Sequence, residues 1–171
     1  LEAVETEEIV ITYIRHQWSS RFGLTREKDL YADIKARIRN KTAAIIFAND
    51  LATDARLYAA CLNPDHDLWM KISGVARQHM STLNVLRMVQ IRPLLLAILS
   101  AFSDRDIQQA LKLIVSWSVR FLIYGGLGSG TLEKHYCERA AEIRRGEVKT
   151  LKELMVKMKD VVPSDTQFKA A

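Results

Sequence analysis

Six consecutive residues, Gly125-Gly126-Leu127-Gly128-Ser129-Gly130, are the first stretch of this 171-residue sequence whose spacing suggests chemistry. A glycine-rich turn between an apolar run and a helix is how backbone N–H groups cradle phosphate. A P-loop also needs Gly-Lys-Ser/Thr, so that an ammonium and a hydroxyl reach phosphate and magnesium. Here Gly130 is followed by Thr131 and Leu132. The dinucleotide spacing GxGxxG fails as well, because the glycines stand at 125, 126, 128 and 130. Phe121-Leu122-Ile123-Tyr124 continue a helical period begun at Ile107, so the stretch reads as a helix–helix connection.

The other reactive residue types stand apart. His16, His66, His79 and His135 are single, and His135 with Cys137 is an i,i+2 pair on different helix faces, so no metal-ligand set forms. Cys61 and Cys137 lack CxxC spacing and a basic neighbour, which fits neither a disulfide framework nor an activated thiol and suggests a reducing, cytoplasmic setting. No serine lies in a GxSxG context. Glu138 and Glu142 share a helix face but have Lys134, Arg139 and Arg145 beside them, the pattern of surface ion pairs. The linear sequence therefore assigns no catalytic, cofactor-binding or metal-ligating residue, although a helical protein can gather an active site from distant positions.

Charge is the remaining lead. The net charge is +5, and residues 71–120 carry 7 Lys+Arg against 2 Asp+Glu, while residues 1–70 carry 9 against 11. A basic tract can neutralise nucleic-acid phosphates, or it can be a solvated, internally paired surface. Arg120 lies among Trp117, Phe121 and Leu122, where a guanidinium needs a partner or an escape to solvent. Arg144, Arg145 and Lys149 form a second basic group around Gly146, interleaved with Glu142 and Glu147. Arg92, Lys112, Arg120, Arg144, Arg145 and Lys149 are thus the candidate contacts to DNA or to a neighbouring domain.

Helices must position these residues. Val4, Ile11, Ile14 and Trp18 line one face before Gly23; Leu30, Ile34 and Ile38 follow a Thr25 cap. Thr42 would cap a third helix with a stripe of Ile45, Leu51, Ala55, Tyr58 and Leu62, ended by Asn63-Pro64. A short piece with Leu68, Trp69 and Ile72 precedes Gly74, and Met80, Leu83, Leu86 and Met88 carry the next. Pro93 suits a first helical turn, and Leu94-Leu95-Leu96-Ala97-Ile98-Leu99 is apolar on every side, which predicts a buried central helix near 93–102. Ser103 with Asp106 opens a helix striped by Ile107, Leu111, Ile114, Ser118 and Phe121. Thr131 would cap a helix ended by Gly146, and Thr150 one closed by Pro163. No alternating strand pattern and no membrane-length apolar run intervene. The expectation is one all-α domain over residues 1–171, a bundle of about seven or eight helices. With no initial Met, it also reads as a piece of a longer multidomain protein.

The order of several anchors resembles the central helical region of the GmrSD-type restriction proteins, which have an N-terminal ParB-like NTPase domain and often a C-terminal HNH nuclease. The anchors are Leu30-Tyr31-Ala32-Asp33-Ile34-Lys35, Leu57-Tyr58 with Asn63-Pro64, and Arg92-Pro93-Leu94-Leu95-Leu96-Ala97. Val119-Arg120-Phe121-Leu122-Ile123, Thr131-Leu132-Glu133 and Ala140-Ala141 complete them. The resemblance implies NTP-dependent DNA restriction in phage defence, with neighbouring nucleotide-binding and nuclease domains as partners. The Asp-Gly-Gln-Gln-Arg-type nucleotide motif and the His-Asn-His cluster are absent from this sequence, so no catalytic residue transfers. Arg120 alone matches a recurrent family position, with a structural or interdomain role. The expectation is a non-catalytic scaffold that couples those domains and contacts DNA; the alternative is a stand-alone module docking a protein through an apolar groove near Trp69 or Trp117.

Overall fold

A computed structural model describes the backbone of residues 2–124 and 129–170 and the side chains of residues 7–123 and 130–170. Among them are ten α-helices and no strand: α1 (Glu2–Phe22), α2 (Glu27–Arg37), α3 (Lys41–Leu62), α4 (Asp67–Ile72), α5 (Gly74–Val85), α6 (Arg92–Ala101), α7 (Asp104–Tyr124), α8 (Ser129–Arg144), α9 (Leu151–Met158) and α10 (Asp165–Lys169). A 3-10 turn at Val89–Ile91 leads into α6. Eight helices have seven or more residues, and the fold is the expected all-α bundle. Among the described residues no helix is long and apolar enough to cross a membrane.

The centre is α6. Pro93 occupies its first turn, where a missing N–H breaks no bond, and Pro93 through Ile98 are all buried. Each fully buried leucine there contributes about 1.5–3 kcal/mol relative to exposure. Around it pack α8, α3 and α1, with α1 also lying along α8 and α7 along α5. Trp69, fully buried, donates its indole N–H to the Ala60 carbonyl at 2.9 Å, so it belongs to the core. The α7 stripe is as its spacing predicts, with Ile107, Leu111, Ile114 and Ser118 buried. Gly23 and Gly146, at φ +91° and +73°, end α1 and α8 in the left-handed conformation that glycine tolerates.

Several local expectations shift. Asn40, not Thr42, caps α3, its side chain accepting from the Ala43 N–H at 2.8 Å. Thr25 precedes the cap position of α2 and donates instead to Asp33 Oδ2 at 3.1 Å. Thr131 lies inside α8, which already includes Ser129 and Gly130. The chain continues past Pro163 into α10, capped by Ser164 and Gln167 in a reciprocal box. The expected connection at Gly125–Gly130 falls, for residues 125–128, outside the described residues.

Candidate functional site

The last turns of α1 are buried although polar: His16, Gln17, Ser19 and Ser20 all have 1% or less of their surface exposed. Buried polar groups need partners: His16 and Gln17 find theirs on α3, Ser20 donates to the Gln17 carbonyl of its own helix, and Ser19 accepts from the Thr25 N–H. Asp54, on the inner face of α3, accepts from Gln17 Nε2 at 3.1 Å and from Arg144 Nη2 at 3.0 Å. Arg21 Nη2 lies 3.6 Å from the same carboxylate oxygen, and Arg21 Nη1 binds Asp50 Oδ2 at 2.9 Å. Two guanidinium and two carboxylate groups thus balance where an isolated charge would be very costly. Burial pulls the Arg144 pKa down, and the adjacent Asp54 opposes that pull. Arg144 also reaches the Leu96 carbonyl at 3.4 Å, tying the end of α8 to α3 and to the central helix.

A second chain of contacts crosses the bundle one turn earlier on α1. Glu133 Oε1 accepts from Arg15 Nη1 at 2.8 Å, and Arg15 Nη2 lies 2.9 Å from His16 Nε2. His16 Nδ1 is 2.8 Å from the Tyr58 hydroxyl, which Arg92 Nη1 approaches at 3.5 Å. Burial, followed by the nearby Arg15 and Arg92, lowers the His16 pKa to about 3, so the ring is neutral at physiological pH. Burial likewise raises the Tyr58 pKa. The chain ends at a cavity of about 340 Å³ lined by Glu8, Ile9, Thr12, Tyr58, Leu62 and Arg92.

The six candidate cations are distributed through the fold. Arg92 begins α6 at the cavity just described, and Arg144 is the largely buried partner of Asp54. Arg120 donates to the Pro163 carbonyl at 2.9 Å, pairs with Asp165 and lies over the Phe168 ring, 5.4 Å from its centroid. Arg145 holds Glu147 through two bonds, of 2.6 and 3.0 Å. Lys112 is exposed on α7, and Lys149 is exposed just before α9. Trp117 and Arg120 line a cavity of about 360 Å³ with Leu113, Met155, Met158 and Val162. Cys61 and Cys137 are free and buried, which pushes both thiols up to about 12.

Sequence reasoning missed Asp54, Tyr58 as a polar residue, and the Arg15–Glu133 pair. A usable signal was Asp50 and Asp54 at i,i+4 in α3, the latter on the helix face that also carries Tyr58. Compared with known protein families, characterised proteins and solved structures, the chain has no significant match.

Proposed function

We propose that this chain is a non-catalytic helical domain that couples the nucleotide-binding and nuclease domains of a larger, cytoplasmic DNA-restriction protein of the GmrSD type, in defence against phage. The observation that carries the reading is the use of its inward-facing charges: the buried Asp54 and the half-buried Glu133 bind arginines from other helices and lock α1, α3 and α8 together. A unit that transmits force or position between neighbours has to be stiff, and cross-helix ion pairs at its centre supply that stiffness. The quoted anchors support it too, since Arg92-Pro93-Leu94-Leu95-Leu96-Ala97 starts the central helix and Ala140-Ala141 lies buried on α8.

On this reading, contact with DNA falls to exposed cations such as Lys112 and Lys149, because Arg120, Arg144 and Arg145 are engaged with carboxylates. Two measurements test it. The reading frame flanking this sequence should encode an Asp-Gly-Gln-Gln-Arg-type motif before it and a His-Asn-His cluster after it; a frame with neither overturns the coupling role. Fluorescence anisotropy with labelled duplex DNA at two salt concentrations then examines DNA contact. Salt-sensitive binding reduced by Lys112→Glu supports a DNA-facing α7, and no binding at low salt restricts the domain to protein neighbours. The cavity beside Trp117 favours the second reading, a stand-alone docking module, which a flanking frame without those motifs would bring forward.

A further inference from the structure

We propose that the groove where α1, α3 and the start of α6 meet binds an oxyanion, a phosphate or carboxylate group of a small ligand that accepts from both the Tyr58 hydroxyl and the Arg92 guanidinium. The inference does not rest on the coupling role. It follows from where the hydrogens in the His16 chain must be. Arg15 Nη2 is 2.9 Å from His16 Nε2, and a guanidinium only donates, so Nε2 is the acceptor of the ring. A neutral imidazole then carries its one hydrogen on Nδ1, which donates to the Tyr58 oxygen at 2.8 Å. The opposite tautomer would set two donor hydrogens against each other.

Arg92 Nη1, 3.5 Å from that same oxygen, is also only a donor. The Tyr58 oxygen is therefore faced by donors, and its own hydrogen has no acceptor among the described residues. Tyr58 is 4% exposed, yet it forms part of the wall of the 340 Å³ cavity, a volume within the range of small-ligand sites. Burial raises the Tyr58 pKa, so the phenol keeps that hydrogen. Arg92 lines the same cavity, and among the described residues no carboxylate pairs with it. One unmet O–H donor and one guanidinium on residues that line one cavity call for a group that accepts hydrogen bonds and carries negative charge. Ile9 and Leu62 supply apolar wall for the rest of the ligand, and Glu8 at the rim disfavours additional negative charge.

Inorganic phosphate and acetate, titrated separately into the intact chain at constant ionic strength with chloride as the balancing anion, test the site. The readouts are the Tyr58 ¹³Cζ and His16 ¹⁵N resonances. Saturable shifts of both are expected, and the anion that saturates first tells whether the source is a phosphate or a carboxylate. Arg92→Gln should weaken the binding about tenfold or more. Ile9→Trp, at a position 54% exposed, fills the groove without touching the Arg15–His16–Tyr58 contacts and should abolish the shifts while leaving the melting temperature unchanged. Glu8→Gln should tighten binding. Linear shifts with both anions overturn the site, as do saturable shifts that survive both Arg92→Gln and Ile9→Trp.

Discussion

His16 is held by partners that suit only its neutral form, and that has a consequence for stability. In the unfolded chain the ring titrates near its ordinary value of 6.5, and in the folded chain near 3. Between those values the unfolded chain takes up a proton that the native state refuses. The His16 contribution is therefore complete above about pH 6.5 and declines as pH falls toward 3, with a slope of up to about 1.4 kcal/mol per pH unit. Urea unfolding at a series of pH values from neutral to acid, on the wild type and on His16→Gln, isolates this slope from that of the carboxylates. Parallel curves for the two proteins would contradict the expectation. Asp54 makes the companion case. Asp54→Ala leaves Arg144, whose side chain is 11% exposed, with the Leu96 carbonyl as its remaining hydrogen-bond partner among the described residues. The expected loss is about 3–5 kcal/mol in chemical denaturation, with partial recovery when Arg144→Met removes the orphaned cation as well.

The helices differ in how far their sequences disclosed them, and α3 shows why. Reading apolar residues alone puts Ile45, Leu51, Ala55, Tyr58 and Leu62 on the inner face, but Ile45 is 51% exposed and Leu62 38%. The buried face carries Asp54, Tyr58 and Cys61, with Leu51 half-buried at its edge. An apolar count skips Asp54 and so rotates the face, because the arginines that make its burial tolerable come from α1 and α8, distant in sequence. The same distance hid the His16 chain: His16 and Tyr58 are 42 residues apart, and Arg15 and Glu133 are 118 apart. The central α6 was legible because nothing polar interrupts Leu94 to Leu99. At α7 and α9, Ser103 and Thr150 accept from the Asp106 and Glu153 N–H groups, as local capping chemistry predicts. At the start of α3 the sequence reading names Thr42, but Asn40 accepts the Ala43 N–H. Asn40→Ala should lower stability by about 1 kcal/mol, whereas Thr42→Ala, inside the first turn and exposed, should stay within about 0.5 kcal/mol. Equal effects in thermal denaturation would return the cap to Thr42.

At the scale of the whole molecule, Arg120 decides how the end of the chain is held. Its sequence context left open an escape to solvent or a partner, in DNA or in a neighbouring domain. The structure gives it the Pro163 carbonyl, Asp165 and the face of Phe168, all three in the segment that follows α9. The five residues of α10 are too few for a helix to persist alone, so the segment depends on docking, and its contact is with α7. No residue of α10 is buried, which leaves Arg120 as its central polar fastening. Arg120→Ala should therefore release α10 without opening the core. Amide exchange of residues 165–169 is expected to approach that of an unfolded segment, while the amides of α6 keep the protection set by global unfolding. Arg120→Lys keeps the charge but lacks the fork that serves both Pro163 and Asp165, and should give intermediate protection. If α10 stays protected in Arg120→Ala, the Ser164–Gln167 capping box and the half-buried Phe168 hold the segment by themselves. If α6 loses protection together with α10, the fastening is part of the core, and the C-terminal segment folds and unfolds with the bundle as one unit.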